Sequence, residues 1–154
     1  MKKRGMLSEP FYYIFVIIVI ALIFVFGYQQ LSKLQNLNEK AKFITFKTDL
    51  KNAVNNIYYK NPGSIAIYSS TSENKPLTMP KDTKKICFKK LNNVALVNSD
   101  SQYFTSFEIN NLIPEEGTNL KIDSGEYCAN IKNSRFSFTL ENKVVNKEIK
   151  VYIK

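Results

Sequence analysis

The chain has 154 residues, of which 44% are hydrophobic and 13% aromatic, the balance of a folded chain and not of a disordered one. It contains no histidine, which excludes histidine triads, imidazole metal sites and histidine acid–base steps. The formal net charge is +9, but arginine is confined to Arg4 and Arg135 and the lysines are scattered in short runs. That pattern reads as a solvated lysine surface, or as attraction to an anionic membrane, glycan or cell surface. Base reading favours the arginine fork, so no nucleic-acid partner is expected.

Residues 1–10 form a basic segment, with Lys2, Lys3 and Arg4 beside the α-amino group. Phe11 to Tyr28 then reads FYYIFVIIVIALIFVFGY, without a charge or a strongly polar group. As a helix it spans roughly 27 Å, close to the ~30 Å hydrocarbon core, and only a helix satisfies so many backbone groups in lipid. Phe11, Tyr12 and Tyr13 at one end, and Phe26 and Tyr28 at the other, match an interfacial aromatic belt. The competing reading is a cleaved signal peptide ending near Val25-Phe26-Gly27. Against it, the apolar run exceeds a typical signal core and continues into more helix. The basic start favours a cytoplasmic N-terminus, which puts residues 29–154 outside.

Residues 29–61 contain no breaker until Pro62. Phe43, Phe46, Leu50, Val54 and Ile57 recur at helical spacing on one face, and Leu31, Leu34 and Leu37 make a similar stripe nearer the membrane. This predicts one long helix, with a conceivable break near Gln29–Ser32, ending at Asn61-Pro62-Gly63. Its apolar face needs cover, which the rest of the chain is expected to supply.

From residue 62 to residue 154 the period changes to two. Strands are predicted at Ile65–Ile67, 84–90, 93–98, 103–109, 119–123, 126–132, Phe136–Leu140 and Ile149–Ile153. Turns are predicted at Lys75-Pro76, Met79-Pro80, Asn92-Asn93, Pro114 to Gly117, Ser124-Gly125 and Asn142-Lys143, and 71–83 reads as a surface loop. The fold class expected is α+β: a long N-terminal transmembrane and amphipathic helix packed on a small antiparallel sheet or sandwich of seven or eight strands.

Cys87 lies between Ile86 and Phe88, and Cys128 between Tyr127 and Ala129. Strand parity sets both thiols on the side away from those apolar neighbours. Two outward cysteines in one small domain suggest a disulfide, which also argues for an extracytoplasmic domain. With two cysteines, no histidine and no CxxC, no metal site is expected. No phosphate loop, GxSxG or HExxH occurs, and Glu115-Glu116 in a turn read as solvated acids, so neither an enzyme nor a cofactor is expected.

The start, Lys2-Lys3-Arg4-Gly5-Met6-Leu7-Ser8-Glu9 running straight into the apolar stretch, resembles the class III signal of archaeal type IV pilin-like proteins. The long helix with a β-rich, disulfide-stapled head also looks like a pilin. The resemblance implies processing between Gly5 and Met6. It implies a pairing role for Glu9 with a neighbouring subunit's new amine in lipid. It further implies a non-catalytic surface protein, either a filament subunit or a membrane-anchored accessory. Its partners would be the bilayer through residues 11–28, and a second copy or other pilin-like subunits through the helix. The chain departs from the family in two places: Glu9 is fourth after Gly5 where the family has its acid fifth, and Met6 stands where archaeal relatives often have Gln. Ser8-Glu9-Pro10 also reads simply as a helix start, with an acid and a proline in the first turn. The alternative function is a monomeric, membrane-tethered extracytoplasmic binding domain.

Overall fold

The computed structural model describes residues 8–154. One helix, α1, runs Ser8–Tyr58, and eleven strands follow: β1 (Ile65–Tyr68), β2 (Leu77–Thr78), β3 (Lys85–Leu91), β4 (Val94–Ser99), β5 (Phe107–Asn110), β6 (Leu112–Pro114), β7 (Lys121–Asp123), β8 (Glu126–Asn130), β9 (Arg135–Phe136), β10 (Phe138–Val145) and β11 (Glu148–Ile153). The class is α+β, as the change of period predicts. The chain forms two compact units, Met1–Asn38 and Glu39–Lys154, so the head takes in the later turns of α1 as well as every strand. The helical assignment passes through Gln29–Ser32, so the conceivable break there does not occur.

Three sheets build the head. Their strand orders are β1-β10-β11-β6, β5-β4-β3-β8-β7 and the two-stranded β2-β9. All neighbours are antiparallel except β11 and β6, which run parallel with Val151 opposite Leu112 and Ile153 opposite Pro114. Both larger sheets and the helix feed one core. Phe46, Leu50, Val54 and Ile57 from α1 meet Ile86, Phe88 and Val97 on one side and Phe138, Leu140, Val151 and Ile153 on the other. Each side chain of this size contributes about 1.5–3 kcal/mol by leaving water, which is why the helical stripe decides where the sheets dock. Phe43 is only partly buried and lies against Phe104, ring centres 4.8 Å apart. Phe136 links the layers, stacking 4.8 Å from Phe138 and 5.8 Å from Phe88 and meeting Phe46 at 6.3 Å. Leu31, Leu34 and Leu37 are exposed.

Several local expectations give way to tertiary packing. The 71–83 stretch is not a surface loop: it contains β2, and Leu77, Met79, Pro80 and Thr83 are buried. Apolar side chains there had somewhere to go, and Glu39 on α1 accepts a 2.8 Å hydrogen bond from the Lys81 N–H, which pins the segment to the helix. Asn142-Lys143 is not a turn but mid-strand in β10; the reversal falls at Asn146 and Lys147, both with positive φ. Asn142 is fully buried because the end of α1 needs its side chain. The short strands β2 and β6 and the interruption at Ser137 carry too few residues to show a period, so the strand count exceeds the expected seven or eight.

Candidate functional site

The first functional element is the apolar half of α1. Its most apolar 18-residue window has a mean hydropathy of 2.6 and is 0% buried, so α1 contains one segment long and apolar enough to cross a bilayer. Phe11, Ile14, Ile17, Phe24 and Tyr28 are all exposed, the state that lipid and not protein would solvate. Tyr12 and Tyr13 meet edge to face at 6.0 Å, at the end where an interfacial belt is expected. Gly5 and Met6, the expected processing site, and the basic Lys2, Lys3 and Arg4 lie outside the described residues. Glu9 belongs to α1, but its side chain also lies outside them.

The second element is the disulfide. β3 and β8 pair antiparallel with Cys87 directly opposite Cys128, and the two sulfurs are bonded. The Cα atoms are 4.1 Å apart, near the ~4.5 Å of a non-hydrogen-bonded pair, so register alone brings the thiols together. Parity holds: Ile86, Phe88 and Ala129 enter the core, and the sulfurs take the other face. The wet surroundings expected for both do not. Cys128 is only 7% exposed; β7 runs alongside β8 with Lys121 opposite it. The Glu126 carboxylate lies within 4.8 Å of both sulfurs, yet bonded sulfurs offer no thiolate to a metal.

The third element was not visible in the sequence. On the outer face of the β5-β4-β3-β8-β7 sheet a polar hollow of about 430 Å³ is lined by Lys85, Lys121, Asp123, Cys128 and Asn130, among others. Lys121 is in register with Cys128, and Lys85 with Asn130, which is why these side chains share one face. Lys85 hydrogen-bonds Asp123 and holds its carboxyl below the ordinary value, with a further hydrogen bond from Ser124. Two neighbouring hollows continue from it past Asn119, Lys132, Arg135 and Ser137. The signal that could have found this site is weak: Arg135 is the one arginine beyond the N-terminal segment, and it follows Lys132 at a turn.

A separate ion cluster sits on β10, β11 and the end of β6. Glu141 and Glu115 each pair with both Lys143 and Lys154, at 2.9–3.3 Å. Glu115 is therefore not simply solvated. Hydrogen bonds donated to Glu141 and Glu115 raise the Lys154 ammonium above its ordinary value, and the one from Lys154 in turn lowers the Glu141 carboxyl. These groups are partly exposed and tie β10 to the residues that follow β6 and β11.

The chain matches no known protein family, no curated protein and no solved structure.

Proposed function

We propose that this is a pilin-like, membrane-anchored surface protein without catalytic activity: a filament subunit, or an accessory of a filament system, whose head lies outside the cytoplasm. The observation that carries the reading is the division of labour along α1. Phe11–Tyr28 is apolar and exposed, while Phe46, Leu50, Val54 and Ile57 of the same helix build the core of the head. A signal peptide has no reason to be the front part of a core helix, whereas an assembling anchor does. The Cys87–Cys128 bond supports an oxidising location for the head. The basic residues Lys2, Lys3 and Arg4 support a cytoplasmic N-terminus.

A second reading, a monomeric tethered binding domain, is favoured by one feature: Glu9 falls one residue earlier than the family's acid. Intact-mass analysis of the membrane-extracted protein separates the two. A mature chain beginning at Met6 supports the pilin-like reading. A chain retaining Met1 supports the tether, and one beginning after Gly27 rejects both. Protease added to intact cells should digest the head; protection until lysis would reverse the orientation.

A further inference from the structure

We propose that the cationic path from the outer face of the disulfide-bearing sheet across the Lys132–Arg135 hairpin is a binding cleft for an acidic polysaccharide. The three hollows are one feature, since Lys132 lines all of them, Asn119 and Asn130 join the first to the second, and Arg135 and Ser137 join the second to the third. Their volumes are about 430, 220 and 480 Å³, and each shares lining residues with the next, so they form connected hollows and not a single pit. An extended polymer fits such a path better than a compact small molecule.

The charge along it is uneven. Lys85, Lys121, Lys132 and Arg135 line it with one acid, Asp123, which Lys85 already engages, and a second acid, Glu126, lies within 4.8 Å of the Cys128 sulfur. At the centre the chain makes a tight hairpin. Arg135 N–H donates to the Lys132 carbonyl at 3.0 Å, the two residues bridge antiparallel, and Asn133 and Ser134 between them both have positive φ. Bridged antiparallel residues project their side chains to the same side, so two cations stand directly opposite one another, an arrangement that costs stability by itself. Among the described residues neither forms an ion pair. An anion placed between them removes the repulsion.

The remaining lining selects the kind of anion. Amides from Asn119, Asn130 and Asn133 and hydroxyls from Thr118 and Ser137 match a ligand rich in hydroxyls and carboxylates. The only aromatic residue there, Phe136, is 1% exposed, so no ring face is offered to a nucleobase. Among the described residues that line the three hollows, polar side chains dominate, unlike the apolar pocket that anchors a peptide side chain. The disulfide beneath Lys121 and Asn130 fixes two of the strands that carry the lining, so little ordering is needed on binding.

The inference rests on the head lying outside the cell, where such polymers occur, but a binding assay on purified protein tests the cleft without testing orientation. Full-length protein in zwitterionic nanodiscs is titrated with polygalacturonate, with dextran as the neutral polymer and with an oligothymidylate as the nucleic acid. Polygalacturonate should bind, weaken steeply with added salt, and exceed both controls. The double variant Lys132→Gln, Arg135→Gln should weaken it at least 10-fold, and Lys121→Gln about 3-fold. Lys90→Gln, on an exposed residue that lines none of the hollows, should leave it unchanged. Melting temperatures of all variants check folding: the single variants should stay near the parent's, and the double variant, relieved of two opposed cations, should be at or slightly above it. Equal binding of dextran, tighter binding of the oligothymidylate, or a double variant that binds like the parent would each overturn the proposal.

Discussion

Asn142 on β10 donates its side-chain amide to the carbonyl oxygen of Ile57 at 2.8 Å, and the same nitrogen reaches the carbonyls of Lys60 at 2.8 Å and Tyr58 at 3.2 Å. A helix ends with carbonyls that have no partner within it, and here the fully buried Asn142 supplies one. The acceptors identify the nitrogen side of the amide, because a reversed amide would aim Oδ1 at three oxygens. The backbone of Asn142 completes the junction, its carbonyl accepting from Gly63 at 2.7 Å and its N–H donating to Ser64 at 2.9 Å. Asn142→Ala should therefore cost about 2–3 kcal/mol in denaturant unfolding, since buried carbonyls are left unpaired. Asn142→Asp should cost more at pH 7 than at pH 3. Burial among carbonyls raises that carboxyl in the folded state, so stability is lost as pH rises from the unfolded value near 4 through the raised folded one.

The α1 stripe gives a second test. Leu50 is fully buried between the sheets, with Phe46 and Val54 beside it on the same helical face. Leu50→Ala should cost about 2–5 kcal/mol through lost burial and a cavity. Leu50→Asp places an unpaired charge in the core and should unfold the head. Circular dichroism and denaturant midpoints read both, and an unchanged midpoint for the aspartate variant would place the stripe in solvent. Leu34→Ala, at an exposed position, should leave the midpoint within about 0.5 kcal/mol of the parent's.

The long elements were legible because their periods are long enough to show. Five apolar residues from Phe43 to Ile57 define a helical face, and the alternation through Phe136, Phe138 and Leu140 defines a strand face. Asn142 was misread because Asn-Lys is good turn chemistry, and only the helix end 82 residues away in sequence, at Lys60, reveals why a strand should bury an amide there. Leu77 and Met79 were misread because the prolines around them dominate local signals. The cationic cleft was illegible for another reason: Lys85, Lys121 and Lys132 are dispersed along the chain and meet only through sheet register and the hairpin that follows β8.

Acid should weaken the head through specific carboxylates. Burial pushes Glu39 up, but the Lys42 hydrogen bond at 2.8 Å, the Lys81 N–H and both lysine charges together hold it below its ordinary value. Glu141 is lowered mainly by the Lys154 hydrogen bond. A depressed folded-state value means the stabilisation is present above the unfolded value near 4.5 and is lost as pH falls through the folded one. Denaturant midpoints should thus be flat from pH 7 to about 5 and fall below about 4. Glu39→Gln keeps an acceptor for Lys81 but does not titrate, so it should reduce the fall, and an undiminished slope would show that other groups govern it.

The disulfide offers the last test, and the burial of Cys128 changes its expected form. In the chain-entropy model, closing a loop between residues 41 apart contributes about 4 kcal/mol, less if the unfolded chain is compact. Cys87→Ala, Cys128→Ala should lower stability by up to that amount while leaving the register intact, since β3 and β8 remain paired at Ile86–Ala129 and Phe88–Tyr127. Alkylation of the native, non-reduced protein should label neither sulfur. Reduction should be slow under native conditions, because Cys128 is 7% exposed and β7 lies alongside it, so attack comes more readily at the half-buried Cys87. Mild denaturant that frees the short β7 should accelerate reduction before the head as a whole unfolds, which time-resolved alkylation and mass spectrometry can follow. Full labelling of both cysteines without reductant would remove the bond, and with it the main support for a head that matures outside the cytoplasm.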